Sequence, residues 1–111
     1  MTATETPVLN TLAELTAISM ERCALAPREL MLARIAALIA VDAPPASYLA
    51  NAGAAADSGI TGDDVQAVMI GIAPVVGTSK VVAAAGNIFR ALGFAIIAAE
   101  AEMAEAADAA Q

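Results

Sequence analysis

Prolines and glycines divide this chain into blocks in which apolar residues recur at intervals of three and four. The breaks fall at Pro27, at the pair Pro44–Pro45, at Gly59 and at Gly77. The spacing within the blocks is the period of an α-helix, and 31 of the 111 residues are alanine, the best helix former. The pattern predicts one all-α domain, a compact helical bundle of about five to six helices.

Punctuation residues predict where the first three helices begin and end. A first helix is expected from about Pro7 to Cys23. A second is expected from Pro27 to about Val41, because proline suits the first helical turn. A third begins at Pro44 or Pro45 and ends near Ser58, with Gly59 as its left-handed cap.

A helix-start signal follows this cap. Thr61 and Asp64 approximate a capping box that opens a fourth helix, with Pro74 and Gly77 disturbing its end. Thr78 or Ser79 then restarts a helix that runs to about Ala107. By segment, we expect a disordered N-terminus at 1–6, a helical domain at 7–98 and an acidic, alanine-rich helical tail at 99–111.

The apolar share of the sequence predicts self-association. Apolar residues make up 59% of the chain, against about 45–50% in an ordinary globular domain. A domain of this size buries only about two-thirds of the surface of its unfolded chain. Helix faces left uncovered usually mark interaction sites, so we expect a homo-oligomer.

Charge and composition argue against several partners and cofactors. The net charge is −7 with no basic cluster, which argues against a nucleic-acid partner. The chain has no histidine and a single cysteine, Cys23, so a zinc site or an intrachain disulfide is not expected. No metal and no cofactor are predicted.

The charge spacing also argues against a membrane span. The longest stretch without a charge is Val65–Ser79, 15 residues, whereas a spanning helix needs about 20. The N-terminus has no basic start followed by an apolar core, so a signal peptide is not expected. A soluble, cytoplasmic protein is the expectation.

Two segments carry a resemblance to a known family: LAPRELMLARIAALIAVDAPPASYLANAGAAADSGIT (25–61) and DDVQAVMIGIAPVVGTSKVVAAAGNIFRAL (63–92). Arg28-Glu29-Leu30 opens an apolar helix, a break and an alanine-rich helix follow, and then come Gly59-Ile60-Thr61, acids and the block 72–77. In this order of features the segments resemble the carboxymuconolactone decarboxylase family, whose redox branch is the alkylhydroperoxidase D (AhpD)-like proteins. The resemblance covers about residues 12–92. It implies an AhpD-like all-α bundle assembled as trimers or hexamers.

The same resemblance argues against peroxidase chemistry. Redox members carry a CxxC motif and a histidine four residues beyond it. Here the two cysteine positions hold Pro44 and Ser47, and the histidine position holds Asn51. Cys23 lies about twenty residues too early to replace a low-pKa thiolate.

Decarboxylase-like members resemble this chain better, since they also place proline in the break and lack the CxxC motif. They still rely on histidine for proton transfer. Asn51 can orient a ligand or polarise a carbonyl, but it cannot supply a proton near neutral pH. Glu29 matches an acid that opens a helix in the family and relays protons in redox members.

Ser47, Tyr48 and Asn51 are the strongest candidates for ligand contact. They share one face of the predicted third helix, at the family's site position. The alternatives are a backbone hydrogen bond for Ser47 and a subunit contact for Tyr48.

Arg34 is the further ligand-binding candidate, because it falls inside the apolar arc of its helix. It would either anchor an anionic ligand or form an interface salt bridge with Glu14, Glu29 or Asp42. Glu29 and Asp42 are weak candidates for a catalytic acid or base. Asp42 serves equally as a helix terminator, and Glu29 as a capping and charge-pairing residue.

Three functions remain open at this level. The first is a non-redox, homo-oligomeric protein that binds a small apolar or carboxylated ligand at a helix or subunit junction. The second is a lyase or isomerase, decarboxylase-like, acting on a lactone or related carboxylate. The third is a structural protein-interaction module.

Overall fold

A computed structural model describes residues 6–110 of the chain, and the side chains of that range except at 93–99. Within this range the chain is entirely helical, without strands. Its helices are α1 (Pro7–Arg22), α2 (Pro27–Ala40), α3 (Pro45–Asp57), α4 (Gly62–Val76) and α5 (Thr78–Ala109). The all-α prediction is confirmed. The predicted disorder at 1–6 falls, for residues 1–5, outside the described range.

Helix α2 lies at the centre of the bundle. It packs against α3, α4 and α5. Met31, Ile35 and Ile39 are buried along one side of it, four residues apart, as the helical period requires. From the other helices, Ala84 and Ala91 of α5 and Tyr48 of α3 complete the buried core.

The break between α2 and α3 is a Schellman turn. The Ala43 amide donates to the Leu38 carbonyl at 3.0 Å, and the Asp42 amide donates to the Ile39 carbonyl at 3.2 Å. Asp42 takes the left-handed position with φ 55°, where glycine is usual. The prediction that Asp42 terminates α2 is confirmed.

Helix α5 ties this break to the body of the bundle. Lys80 Nζ donates to the carbonyl of Ala40 at 2.7 Å, so a cation meets the carboxyl end of α2. Two helical turns further along α5, Asn87 Nδ2 donates to the carbonyl of Ala43 at 3.2 Å. These bonds hold both ends of the connection between α2 and α3 against α5.

Glycines and a capping box set the remaining connections. Gly59 has φ 78°, and a second Schellman turn ends α3 with the Ile60 amide donating to Ala55 at 3.0 Å. Thr61 and Asp64 form the predicted capping box in full. Gly77, with φ 94°, turns the chain between α4 and α5.

Helix α1 stands apart from the bundle. None of its residues is buried. The chain has a radius of gyration of 16.0 Å, whereas a compact chain of this length has about 13 Å. The predicted compact packing therefore applies to the helices around α2, and neither to α1 nor to the exposed end of α5 at residues 100–109. Helix α5 continues without interruption across the predicted boundary between 98 and 99.

Candidate functional site: an apolar cavity at the helix junction

A largely apolar cavity of about 290 Å³ lies where α2, α3, α4 and α5 meet. An enclosed apolar cavity of about 150 Å³ accommodates benzene, and this cavity, which is partly open to solvent, has about twice that volume. Most of the lining is aliphatic, and the few polar residues come from α3 and the start of α4. The lining includes Ile35, Leu38, Ile60, Val65, Ile88 and Leu92, with Tyr48, Asn51 and Thr61 as its polar members.

Tyr48 is the most unusual group in this lining. Its side chain is only 8% exposed, and its hydroxyl is buried without a hydrogen-bond partner. A buried polar group left unpaired costs about 1–3 kcal/mol. Burial raises the pKa of Tyr48, and the negative charge of Asp42 raises it further. At neutral pH the phenol therefore stays protonated and is a hydrogen-bond donor without an acceptor.

Asn51 lies one helical turn beyond Tyr48 and also lines the cavity. Its Nδ2 donates to the carbonyl of Ser47 at 2.9 Å. This bond fixes the side-chain amide against its own helix. Ser47 is half-buried and does not line the cavity. The structure thus brings together two of the three residues predicted to share a ligand-facing surface.

Arg34 lies elsewhere. Its Nη2 donates to Ser19 Oγ of α1 at 2.5 Å, and it does not line the cavity. Among the described residues it pairs with no carboxylate, so the expected salt bridge does not form within one chain. The side chain is only half-buried, and its charge stays partly solvated, so it does not require an ionic partner.

The two catalytic candidates are also separate from the cavity. Glu29 is exposed in the first turn of α2, and Asp42 is exposed at the end of the same helix. Neither contributes to the lining. Asp42 acts on the cavity only through its charge, which raises the pKa of Tyr48.

An ion pair that the sequence did not reveal braces one end of the cavity. Arg28 Nη2 contacts Asp64 Oδ1 at 2.6 Å, and Arg28 Nη1 donates to the carbonyl of Gly59 at 2.9 Å. Together they hold the first turns of α2 and α4 beside Thr61 and Gly62, which line the cavity. The only signal in the sequence was that both charges stand at predicted helix starts.

An open groove of about 390 Å³ continues from this cavity along α4 and α5. Gly62, Val65, Ile88 and Leu92 line both spaces. Phe89 stands at the groove with 77% of its surface exposed. The cavity is therefore not closed off from the surface on this side.

No protein-family model matches the chain, and no curated protein or solved structure is significantly similar to it. Among the described residues, no three His, Cys, Asp or Glu side chains cluster so that they could hold a metal ion. No single helix of the described range has the length and apolarity to cross a membrane, although α3 and α4 together, bent by 119°, do by length and composition.

Proposed function

We propose that this protein is a homo-oligomeric, non-redox relative of the carboxymuconolactone decarboxylase family that binds a small, neutral, largely apolar ligand in the cavity between α2 and α5. One observation carries the proposal: the buried, unpaired hydroxyl of Tyr48, a residue of the largely apolar cavity lining. A ligand carbonyl would accept the hydrogen bond that the protein itself leaves unmade. Ligand sites of this kind combine an apolar wall with a few polar groups that fix orientation.

A neutral ligand fits better than a carboxylated one. No lysine or arginine is among the lining residues that the structure describes. A carboxylate that moves into an apolar cavity loses its hydration, and without a cation nothing in the cavity compensates for that loss of free energy. Arg34, the anchor expected for an anion, is directed at Ser19 instead.

Binding fits this geometry better than catalysis. Tyr48 is the one titratable group in the described lining, and its raised pKa makes it a hydrogen-bond donor. A lyase or isomerase also needs a group that takes up a proton near pH 7. Glu29 and Asp42 would have to do so from outside the cavity.

The surface area supports self-association. The accessible surface of the chain is 7635 Å², whereas a compact monomer of 11 kDa exposes about 5600 Å². The excess of about 2000 Å² exceeds the share of about 800 Å² that one partner buries in a standard interface. A trimer or hexamer is the assembly that the family resemblance implies.

A matched pair of ligands tests the role of Tyr48. 1-Tetralone and tetralin share one bicyclic skeleton and differ by a carbonyl oxygen. We expect the wild type to bind tetralone about two- to tenfold more tightly, since a net hydrogen bond contributes about 0.5–1.5 kcal/mol. In the Tyr48→Phe variant this preference should disappear while tetralin still binds. Isothermal titration calorimetry on all four combinations measures the coupling.

Other ligands separate the alternatives. If 2-naphthoate binds more tightly than tetralone and the Arg34→Met variant abolishes that advantage, the ligand is an anion and the neutral assignment is wrong. If neither bicyclic ligand binds and the native mass spectrum of protein from its own source shows a second polypeptide, the interaction-module function replaces ligand binding.

A further inference from the structure

Two of the three polar residues that line the cavity belong to one wall. Tyr48 and Asn51 are both on α3 and stand one helical turn apart. The walls that α2, α4 and α5 contribute are aliphatic apart from Thr61, and they include Leu38 and Val65. A ligand that fills this cavity should therefore be apolar except along the edge that faces α3.

Thr61, the third polar residue of the lining, has already used its hydroxyl proton. Its Oγ1 donates to Asp64 Oδ2 at 3.0 Å and accepts from the Asp64 amide at 3.2 Å. A hydroxyl group has only one proton to donate. Both bonds belong to the cap of α4, so Tyr48 and Asn51 are the residues left to contact the polar edge of a ligand.

Asn51 has a side-chain oxygen that no donor contacts. Its Nδ2 donates to the carbonyl of Ser47 at 2.9 Å, and this bond fixes which end of the amide is the donor. Its Oδ1 accepts no hydrogen bond from any residue that the structure describes. Unlike the hydroxyl of Tyr48, this oxygen is not a buried, unpaired atom, so a molecule in the cavity can reach it. Its partner has to be an N–H or O–H group, because an amide oxygen only accepts.

We propose that the ligand is a neutral molecule with an N–H or O–H group beside its carbonyl, as in a lactam or a secondary amide, and that Asn51 Oδ1 accepts a hydrogen bond from that group. The inference rests on the proposed function, in which the carbonyl of the ligand accepts from Tyr48. The two residues then recognise the donor and the acceptor of one polar edge. A ketone or lactone of the same shape satisfies Tyr48 alone and leaves Asn51 without a partner.

A matched pair of bicyclic ligands tests the role of Asn51. Hydrocarbostyril is a lactam and dihydrocoumarin is the corresponding lactone, so the two share a skeleton and a carbonyl and differ at one ring atom, N–H or oxygen. We expect the wild type to bind the lactam at least as tightly as the lactone, because its N–H finds an acceptor when it leaves water. Isothermal titration calorimetry measures both affinities.

Asn51→Leu removes the acceptor and keeps a branched side chain of similar shape. We expect this variant to bind hydrocarbostyril about fivefold or more weakly than the wild type does, because the N–H of the lactam is then buried without a partner. Binding of dihydrocoumarin should not weaken, and it shows that the cavity of the variant is intact. Ser47→Ala, one turn earlier on α3 and outside the lining, is the control and should change neither affinity.

Tyr48→Phe separates this inference from the proposed function. Both ligands carry the carbonyl, so both should lose affinity in this variant while their ratio stays the same. Weaker binding of the lactam than of the lactone by the wild type overturns the role of Asn51, and so does an equal loss of both ligands in Asn51→Leu. The proposed function survives either result if Tyr48→Phe still weakens dihydrocoumarin. If the wild type binds neither ligand, both the proposed function and this inference fail.

Discussion

The carboxylate of Asp64 accepts hydrogen bonds from two neighbouring residues. Its Oδ1 accepts from Arg28 Nη2 at 2.6 Å, and its Oδ2 accepts from Arg28 Nη1 at 3.1 Å and from the Thr61 amide at 2.8 Å. The bonds from Arg28 contribute most, followed by those from Thr61, and they hold the pKa of Asp64 well below its usual range. One side chain therefore joins a helix cap to an ion pair between helices.

This depressed pKa predicts a contribution to acid sensitivity. Because the folded-state pKa lies below the unfolded value, the stabilisation is present above about pH 4 and is lost as the pH falls through the folded pKa. Urea unfolding at pH 7 and pH 3 should show a smaller loss of stability in Asp64→Asn than in the wild type. Asp63→Asn, in the same helical turn, is the control and should retain the wild-type loss. An unchanged loss in Asp64→Asn would contradict the ion pair.

Substitutions of Asp42 should have two separable effects, one on the pKa of Tyr48 and one on the stability of the fold. Asp42→Asn removes the charge that raises the pKa of Tyr48, so that pKa should fall while staying above its ordinary value, because burial remains the larger cause. Asp42→Gly should lower the pKa likewise and also stabilise the fold by about 1 kcal/mol, since glycine fits the left-handed position. The chain has one tyrosine and no tryptophan. Tyrosinate absorbance therefore reports the pKa of Tyr48 directly. Equal free energies of unfolding for Asp42→Asn and Asp42→Gly would contradict backbone strain at Asp42.

At the scale of the elements, Pro74 sits inside α4 and removes a hydrogen bond from its last turn. Proline within a helix costs about 3 kcal/mol relative to alanine, and this difference already includes the effect on the unfolded chain. We therefore expect Pro74→Ala to raise the free energy of unfolding by about 3 kcal/mol. Pro27→Ala, at the first position of α2, is the control and should not stabilise. Urea denaturation measures both.

The helices were more predictable than the site for a physical reason. Prolines, glycines and the Thr61–Asp64 capping box start or stop a helix through contacts with nearby residues of the chain. The helix limits can therefore be predicted from their positions in the sequence. Tyr48 and Asn51 were predictable as neighbours because one helical turn separates them. The aliphatic walls of the cavity come from four helices, and no local pattern signals which side chains meet. The partner of Arg34 was not predictable for a related reason: the helical period gives the face on which Arg34 lies, but not the serine of α1 that lies next to it.

For the whole molecule, the chain's surface exceeds that of a compact monomer because α1 buries none of its residues and because the end of α5, residues 100–109, is exposed. If that surface is buried between copies, assembly and folding are linked by mass action. The temperature of unfolding should then rise with protein concentration, by several degrees over about a hundredfold range. Leu12→Glu, which places a charge on the exposed apolar face of α1, should weaken this dependence, and Ala17→Glu, on the other side of α1, should retain it. Scanning calorimetry over that range decides the matter: a midpoint that does not move with concentration would mean that single chains are stable without assembly.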